Sequence, residues 1–161
     1  MMKVLIIGDT HGQDDIFLRV LSREKGFDVL LHTGDFEGSE FVYSELTEVP
    51  FYFVAGNNDF FTDAPFEQVI ELAGCRIFMT HGHKKNLFLG YKEVLQEAAR
   101  RRAVIAVFGH SHLPVAEYQK GILLLNPGSL TWPRQENGKP SYIVLSLSEG
   151  RVDSFEIRYL Q

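Results

Sequence analysis

The sequence has a single cysteine and no long apolar run, and each scarcity excludes a class of protein. Cys75 has no second cysteine in the chain to pair with, which favours a reducing compartment and makes the cytoplasm the expected location. The longest apolar stretches, such as residues 103–108, have the length of a strand and fall well short of the roughly 18 residues that a membrane helix needs. We therefore expect no membrane span and no signal peptide at the N-terminus.

The sequence also has fewer basic than acidic residues. The chain has 16 Lys and Arg residues against 21 Asp and Glu residues, which gives a formal net charge of −5. Because an acidic protein repels polyanions, strong non-specific binding to nucleic acid or to an anionic membrane is not expected. A local cluster of bound cations would still attract phosphate, since salt screens charges beyond about 8 Å.

The composition is that of a folded domain. The 161 residues are 45% hydrophobic and include 13 phenylalanines, which excludes a disordered chain and allows a sizeable core. We expect a single domain over residues 1–161 that folds without a disulfide or a structural metal.

The apolar pattern predicts an α/β (α+β) fold. In the first third, strand-like runs at residues 3–7, 29–31 and 51–55 alternate with helical spacing, and this order is typical of a parallel sheet. Further on, paired strands indicate three hairpins, so the last third is expected to be antiparallel. The hairpin turns are predicted at residues 73–74, 119–121 and 148–150. Together these elements predict a four-layer αββα sandwich, with two packed mixed β-sheets flanked by helices.

Polar clusters follow five of the predicted strands. They occupy residues 8–12, 34–35, 56–59, 80–83 and 109–112. Ligand sites in α/β folds lie at the carboxyl ends of strands, where loops from several strands meet. We therefore expect the five clusters to form one site.

The residue types in these clusters favour a centre of two metal ions. Aspartate, asparagine and histidine without thiolate suit Mn, Fe, Ni or Zn. A carboxylate can bridge two ions about 3.5–4 Å apart, and such a pair activates water as a nucleophile near neutral pH. Two dications with two carboxylates leave a net positive charge that matches a phosphoryl group.

In these residues the sequence resembles the calcineurin-like metallophosphoesterases. The superfamily pattern is D-x-H, G-D, G-N-H-D/E, H and G-H-x-H, and here the same order occurs between residues 9 and 112. The resemblance extends over residues 5–134. The motifs at 126–129 and 133–134 resemble those of the small single-domain phosphodiesterases of bacteria and archaea. That subgroup shares its fold with a retromer subunit that works as a scaffold.

The resemblance implies two divalent ions per chain. Manganese is the first expectation, and nickel, zinc, iron or magnesium would also fit. The implied ligands are Asp9, His11 and His112 for one ion and Asn57, His81 and His110 for the other, with Asp35 bridging both.

One motif departs from the superfamily pattern. Asn58 stands where the superfamily has a catalytic histidine; asparagine can donate a hydrogen bond to phosphate but cannot supply a proton. We predict that Asn58 is a catalytic residue that binds phosphate and that Asp59 supports catalysis by orienting a ligand or a loop. His83 is a second candidate for phosphate binding and for the missing acid, the alternative being an exposed loop histidine. His32, inside an apolar run, is predicted to be a buried, hydrogen-bonded core residue.

The resemblance therefore implies a metal-dependent phosphoric ester hydrolase. It would hydrolyse phosphodiesters by attack of a metal-bridging hydroxide, on a small-molecule or nucleotide-like substrate. Two alternatives stay open: a non-catalytic metal-binding scaffold or protein-interaction module on the same fold, and a phosphomonoesterase. The complete ligand set favours the enzyme, because a scaffold is free to lose ligands. The substrate, the native ion and homo-oligomerisation are left open.

Overall fold

The computed structural model describes residues 1–161 as ten strands, three α-helices and one 3₁₀ helix. The strands are β1 (Met2–Ile7), β2 (Val29–His32), β3 (Phe51–Phe53), β4 (Glu67–Leu72), β5 (Cys75–Thr80), β6 (Ile105–Val107), β7 (Val115–Gln119), β8 (Ile122–Asn126), β9 (Ser141–Ser148) and β10 (Arg151–Tyr159). The helices are α1 (Asp14–Arg23), α2 (Glu40–Thr47) and α3 (Lys92–Arg100), and the 3₁₀ helix covers Leu87–Leu89. No helix combines the length and the apolar character that crossing a bilayer requires.

The strands form two mixed sheets of five strands each. The first has the order β10-β9-β1-β2-β3 and the second the order β4-β5-β6-β8-β7. The pairing of β1 with β2 and of β2 with β3 is parallel, as the alternating pattern predicts. All three predicted hairpins are present and antiparallel. The expectation of a wholly antiparallel last third is wrong in one respect: β8 pairs with β6 in parallel, because the hairpin with β7 returns the chain in the direction of β6.

The alternation of side chains in β1 shows how one strand contributes to two cores. Val4 and Ile6 belong to a cluster of 17 buried residues between the two sheets, whereas Leu5 and Ile7 pack on the other face with Phe17 of α1. Because neither face is solvated, the strand is apolar throughout. Truncating the fully buried Ile6 to alanine would cost about 2–5 kcal/mol.

The outer face of the second sheet is covered by α3. Val94, Leu95 and Ala98 lie on one side of this helix and pack against Phe78 and Phe108. The layers therefore follow the order helix, sheet, sheet, helix, which confirms the predicted αββα sandwich. The lone cysteine is buried within the core between the sheets.

Candidate metal centre

Residues from both sheets meet at the carboxyl ends of the central strands. β1 and β2 are parallel, so the loops that carry Asp9 and Asp35 leave the first sheet at the same edge. β5 and β6 are parallel as well, and His81 and His112 follow them. The Nε2 atom of His81 lies 3.8 Å from Asp9 Oδ1 and 3.4 Å from Asp35 Oδ2. Side chains from different sheets thus share one site.

Two glycines allow these loops to approach one another. A Cβ atom on Gly34 would lie 2.8 Å from Nδ1 of His81, and the φ angle of this glycine is +110°. A Cβ atom on Gly109 would lie 2.5 Å from Oγ1 of Thr33. Because real side chains do not tolerate such distances, any larger residue at either position would push the ligand loops apart.

Five of the candidate ligands adopt a left-handed backbone conformation. Their φ angles lie between 47° and 68°. The five are Asp9, His11, Asp35, His110 and His112. This conformation is uncommon for residues other than glycine and costs of the order of 1 kcal/mol or more, so its concentration here indicates a site where surrounding contacts hold the loops in place.

The first group of potential ligands consists of Asp9, His11 and His112, whose donor atoms all lie within 4.8 Å of one another. His112 donates from Nδ1 to the carbonyl of Trp132 at 2.8 Å, which leaves Nε2 facing Asp9 Oδ1 at 3.3 Å. The ring of His11 stacks on the indole of Trp132 at 4.1 Å between centroids. Trp132 therefore fixes the orientation of both histidines.

The second group consists of Asp9, Asp35 and His81, again within 4.8 Å. His81 donates from Nδ1 to the carbonyl of Thr33 at 2.8 Å, so its Nε2 lone pair is directed at the two carboxylates. Asp9 belongs to both groups, which places the two sets of donors side by side.

Several donor atoms in these groups are buried without a hydrogen-bond partner. They are Oδ1 of Asp9 and Nε2 of His11 and of His81. Buried polar atoms are almost always paired, and an unpaired one costs free energy. Oxygen and imidazole nitrogen atoms without thiolate are the ligands of hard and borderline divalent ions. The residues present therefore fit a metal centre.

The electrostatics of the site also favour a cation. Burial alone would raise the pKa of Asp35, but the imidazole of His81 and two hydrogen bonds from Asn58 outweigh it and lower that pKa. Burial alone would lower the pKa of His81, but the carboxylates of Asp35 and Asp9 raise it. The two carboxylates thus stabilise positive charge at this position.

Asn58 is bound to the Asp35 carboxylate. Its backbone N–H donates to Oδ1 at 2.9 Å and its side-chain amide donates to Oδ2 at 2.9 Å. An asparagine amide has two N–H groups, so one of them is left for another acceptor.

Asp59 holds the loop that carries Asp35. Its Oδ2 atom accepts from the backbone N–H groups of Asp35 and Gly56, both at 2.7 Å. Its Oδ1 atom accepts from those of Phe36 at 3.0 Å and Glu37 at 2.8 Å. Three consecutive N–H groups converging on one anion form an anion-binding nest, filled here by a side chain of the chain itself.

The remaining two predicted ligands, His110 and Asn57, differ in how far the structure connects them to the site. His110 donates from its backbone N–H to Asp9 Oδ2 at 3.2 Å, and its ring centroid is 5.1 Å from that of His81. Burial, together with the charge of His81, lowers its pKa. Asn57 is exposed. The contacts described above therefore extend to His110 but do not involve the side chain of Asn57.

His83 lies beside this site. Its ring centroid is 5.4 Å from that of His81 and 6.3 Å from that of His110, and its Nδ1 atom is buried without a partner. Burial, with the positive charges of His81, His110 and Lys84, lowers its pKa. The ring is thus half-buried within the cluster of histidines.

His32 is a core residue, as predicted. It is fully buried, accepts from the N–H of Gly34 at 3.0 Å through Nδ1, and bonds through Nε2 to Thr10 Oγ1 at 3.0 Å. Burial lowers its pKa to about 3, so the ring is neutral. The Thr10 hydroxyl also accepts from Tyr43.

The residues that orient the candidate ligands by hydrogen-bonding to them were not identified from the sequence. Thr33 orients His81 and Trp132 orients His112 through backbone carbonyls, for which no side-chain motif exists. The hydroxyls of Ser129 and Thr131 both donate to the carbonyl of Asp9 at 2.8 Å. Ser129 ends the motif at 126–129, and this motif and the one at 133–134 are the signals that pointed to this segment.

A two-sheet sandwich with carboxylates and imidazoles converging at its strand ends defines a class of metal-dependent hydrolases. Within that class, the chain belongs to the calcineurin-like phosphoesterase superfamily, whose domain model matches residues 2–150.

Individual relatives agree with this family. The chain is 34% identical over 163 residues to a probable metallophosphoesterase of Mycoplasma pneumoniae, covering 99% of this chain and 98% of the relative. It is 33% identical over 162 residues to the phosphodiesterase YfcE of Escherichia coli K12, covering 85% and 84% of the two chains. A solved structure of a conserved protein from Streptococcus pneumoniae superposes with a TM-score of 0.82 at 30% identity, covering 99% of this chain and 88% of that one. The names of these relatives support the assignment of the chain as a phosphoesterase.

Proposed function

We propose that the chain is a phosphodiesterase that depends on two divalent ions. The observation that carries the proposal is the shared position of Asp9 between two groups of buried donors, several of which lack a hydrogen-bond partner. One ion would be held by Asp9, His11 and His112. The other would be held by His81, with His110 and Asn57 completing its ligands, and Asp35 would contact both.

The ions, when bound, would supply Lewis-acid activation of a water nucleophile and of the phosphoryl oxygens. Manganese is our first choice among the ions that oxygen and imidazole nitrogen donors bind. Side chains of the protein would position the phosphoryl group of the substrate. Asn58 has one amide N–H beyond the one it gives to Asp35, and we infer that it donates to a phosphoryl oxygen.

The two cavities beside the site favour a diester over a monoester. One cavity of about 320 Å³ is lined in part by Asn58 and Asp59, and another of about 180 Å³ is lined in part by His110 and Arg134. A diester carries two organic groups and a monoester only one. Two cavities next to the candidate ligands would accommodate both groups.

Metal analysis with matched variants tests the proposal. We expect about two divalent ions per chain, and loss of activity on bis(p-nitrophenyl) phosphate after chelation, with recovery on adding Mn²⁺. Asp35→Ala should lose both ions, whereas His112→Ala should mainly weaken one. Asp15→Asn changes an exposed carboxylate outside the site and serves as the control. Two tightly bound ions in Asp35→Ala, or full activity without metal, would overturn it.

A second function, a non-catalytic scaffold, is favoured by one observation. The side chains of Phe88 and Leu89 are 97% and 83% exposed, as apolar residues at a binding surface are. A scaffold would bind the metal ions without hydrolysing any phosphoester. The same measurements therefore separate the two functions.

A further inference from the structure

An acidic and aromatic cavity adjoins the candidate metal centre. It has a volume of about 320 Å³. The lining residues used below are Glu37, Glu40, Asn58, Asp59, Phe60 and Phe61. Asn58 is hydrogen-bonded to Asp35, and Glu37 Oε1 lies 3.6 Å from Nδ1 of His11. Residues that line the cavity therefore contact two of the candidate metal ligands.

Glu40, the first residue of α2, is the unexplained group in this cavity. The residue is only 6% exposed, and its Oε2 atom is fully buried with no hydrogen-bond partner. Two other carboxylates of the chain are well paired: Asp59 accepts four N–H groups, and Glu24 pairs with Arg158. An unpaired buried carboxylate is costly, so Glu40 favours a cation at this position.

The aromatic side chains of the cavity point to an organic cation. Phe60 and Phe61 are 78% and 100% exposed, so burial in the core does not account for them. The face of an aromatic ring attracts ammonium groups, and carboxylates combined with aromatic rings are the usual surroundings of a bound alkylammonium. No lysine or arginine lines the cavity to compete with such a ligand.

We propose that this cavity binds an alkylammonium group, which is the cationic arm of a phosphodiester substrate. The substrate assignment rests on the proposed function, because it places the phosphoryl group at the metal centre. Glu40 is the counter-ion and Phe60 and Phe61 contact the methyl or methylene groups around the nitrogen. An anionic arm is disfavoured, since Glu37 and Glu40 would repel it.

Binding of choline to the intact chain tests the site independently of catalysis. We expect choline to shift the aromatic NMR signals of Phe60 and Phe61 in a saturable manner. Glu40→Gln keeps the shape of the side chain and should weaken binding about tenfold or more. Glu45→Gln removes the same charge from an exposed position on the same helix and should have no effect. Absence of binding, or equal binding by Glu40→Gln, would overturn the proposal.

A matched pair of substrates tests the role of the cavity in selection. p-Nitrophenyl phosphorylcholine carries the ammonium group, and 3,3-dimethylbutyl p-nitrophenyl phosphate has an uncharged carbon atom in place of its nitrogen. We expect kcat/KM to favour the ester with the ammonium group about tenfold, and this ratio should fall towards one in Glu40→Gln and in Phe61→Leu. Phe61 is fully exposed, so its replacement leaves the fold intact.

The outcomes distinguish the inference from the proposed function. Equal hydrolysis of both esters by the wild-type chain would refute the inference and leave the phosphodiesterase standing. Hydrolysis of neither ester by the Mn²⁺-loaded chain, with choline binding intact, would refute the phosphodiesterase and leave the ammonium site standing.

Discussion

Replacing Asp59 with asparagine should loosen the loop that carries Asp35. The carboxylate accepts four backbone N–H groups, two on each oxygen. Asparagine keeps one oxygen and puts an NH₂ group in place of the other, so two of the four N–H groups lose their acceptor and face a donor. Hydrogen bonds to a charged acceptor contribute about 1.5–3 kcal/mol each. Since Asp59 is half-buried, we take the lower value and expect a loss of about 3 kcal/mol in the free energy of unfolding.

Two measurements check this expectation. Denaturant unfolding of the metal-free chain gives the change in stability, and calorimetric titration with Mn²⁺ should show affinity reduced by about 10–100-fold, as is usual when a residue that orients a metal ligand is lost. The exposed Asp63→Asn is the control, because it removes a neighbouring charge without removing a hydrogen bond. If Asp59→Asn unfolds and binds metal as the wild-type chain does, the nest around Asp59 does not position Asp35.

Two further predictions concern the leaving group and the pH dependence of stability. Asn58→His should raise the rate on alkyl esters, but not on p-nitrophenyl esters, by about one to three orders of magnitude, because only the poor leaving group needs a proton donor. If His83→Ala instead selectively loses alkyl esters, His83 is already that donor and the interpretation of Asn58 is wrong. Burial would raise the pKa of Glu24, but Arg158 and Tyr142 more than offset it and lower that pKa below 4.5. Ionised Glu24 therefore adds stability above pH 4.5 that disappears as pH falls through the lowered pKa. Glu24→Gln should be less stable than the wild-type chain at pH 7, and the difference should shrink in acid, as denaturant titrations at several pH values would reveal.

The apolar pattern was sufficient to predict most of the fold. Strands such as β1 and β2 are buried on both faces and therefore appear as uninterrupted apolar runs, and the turns at 73–74 and 148–150 predict their hairpins directly. The parallel pairing of β6 with β8 was missed. That pairing depends on where the β7–β8 hairpin docks against the sheet, and no local signal in residues 105–126 encodes it.

The candidate site was predictable as a set of side chains, and its supporting contacts were not. Asp9, Asp35 and His81 stand next to glycines after strands, which is a local signal. The carbonyls of Thr33 and Trp132 orient His81 and His112 through contacts between residues distant in sequence, and a carbonyl is present in every residue. Such contacts become visible only when the loops are folded.

The left-handed conformation of five candidate ligands restricts which residues the loops can accept. Glycine would adopt the left-handed conformation at these positions at a free-energy cost about 1 kcal/mol lower per position than other residues. Aspartate, asparagine and histidine tolerate this conformation better than other side chains, and they are also the residues that bind divalent ions. In a lineage that no longer used the metal, substitution by glycine would be tolerated at Asp9, Asp35 and His112. Alanine neither adopts the left-handed conformation easily nor binds a metal ion, so it would be unfavourable in either case. The identity of the residues at these backbone positions therefore serves as a test, readable from sequence alone, of whether a protein with this fold still depends on its metal.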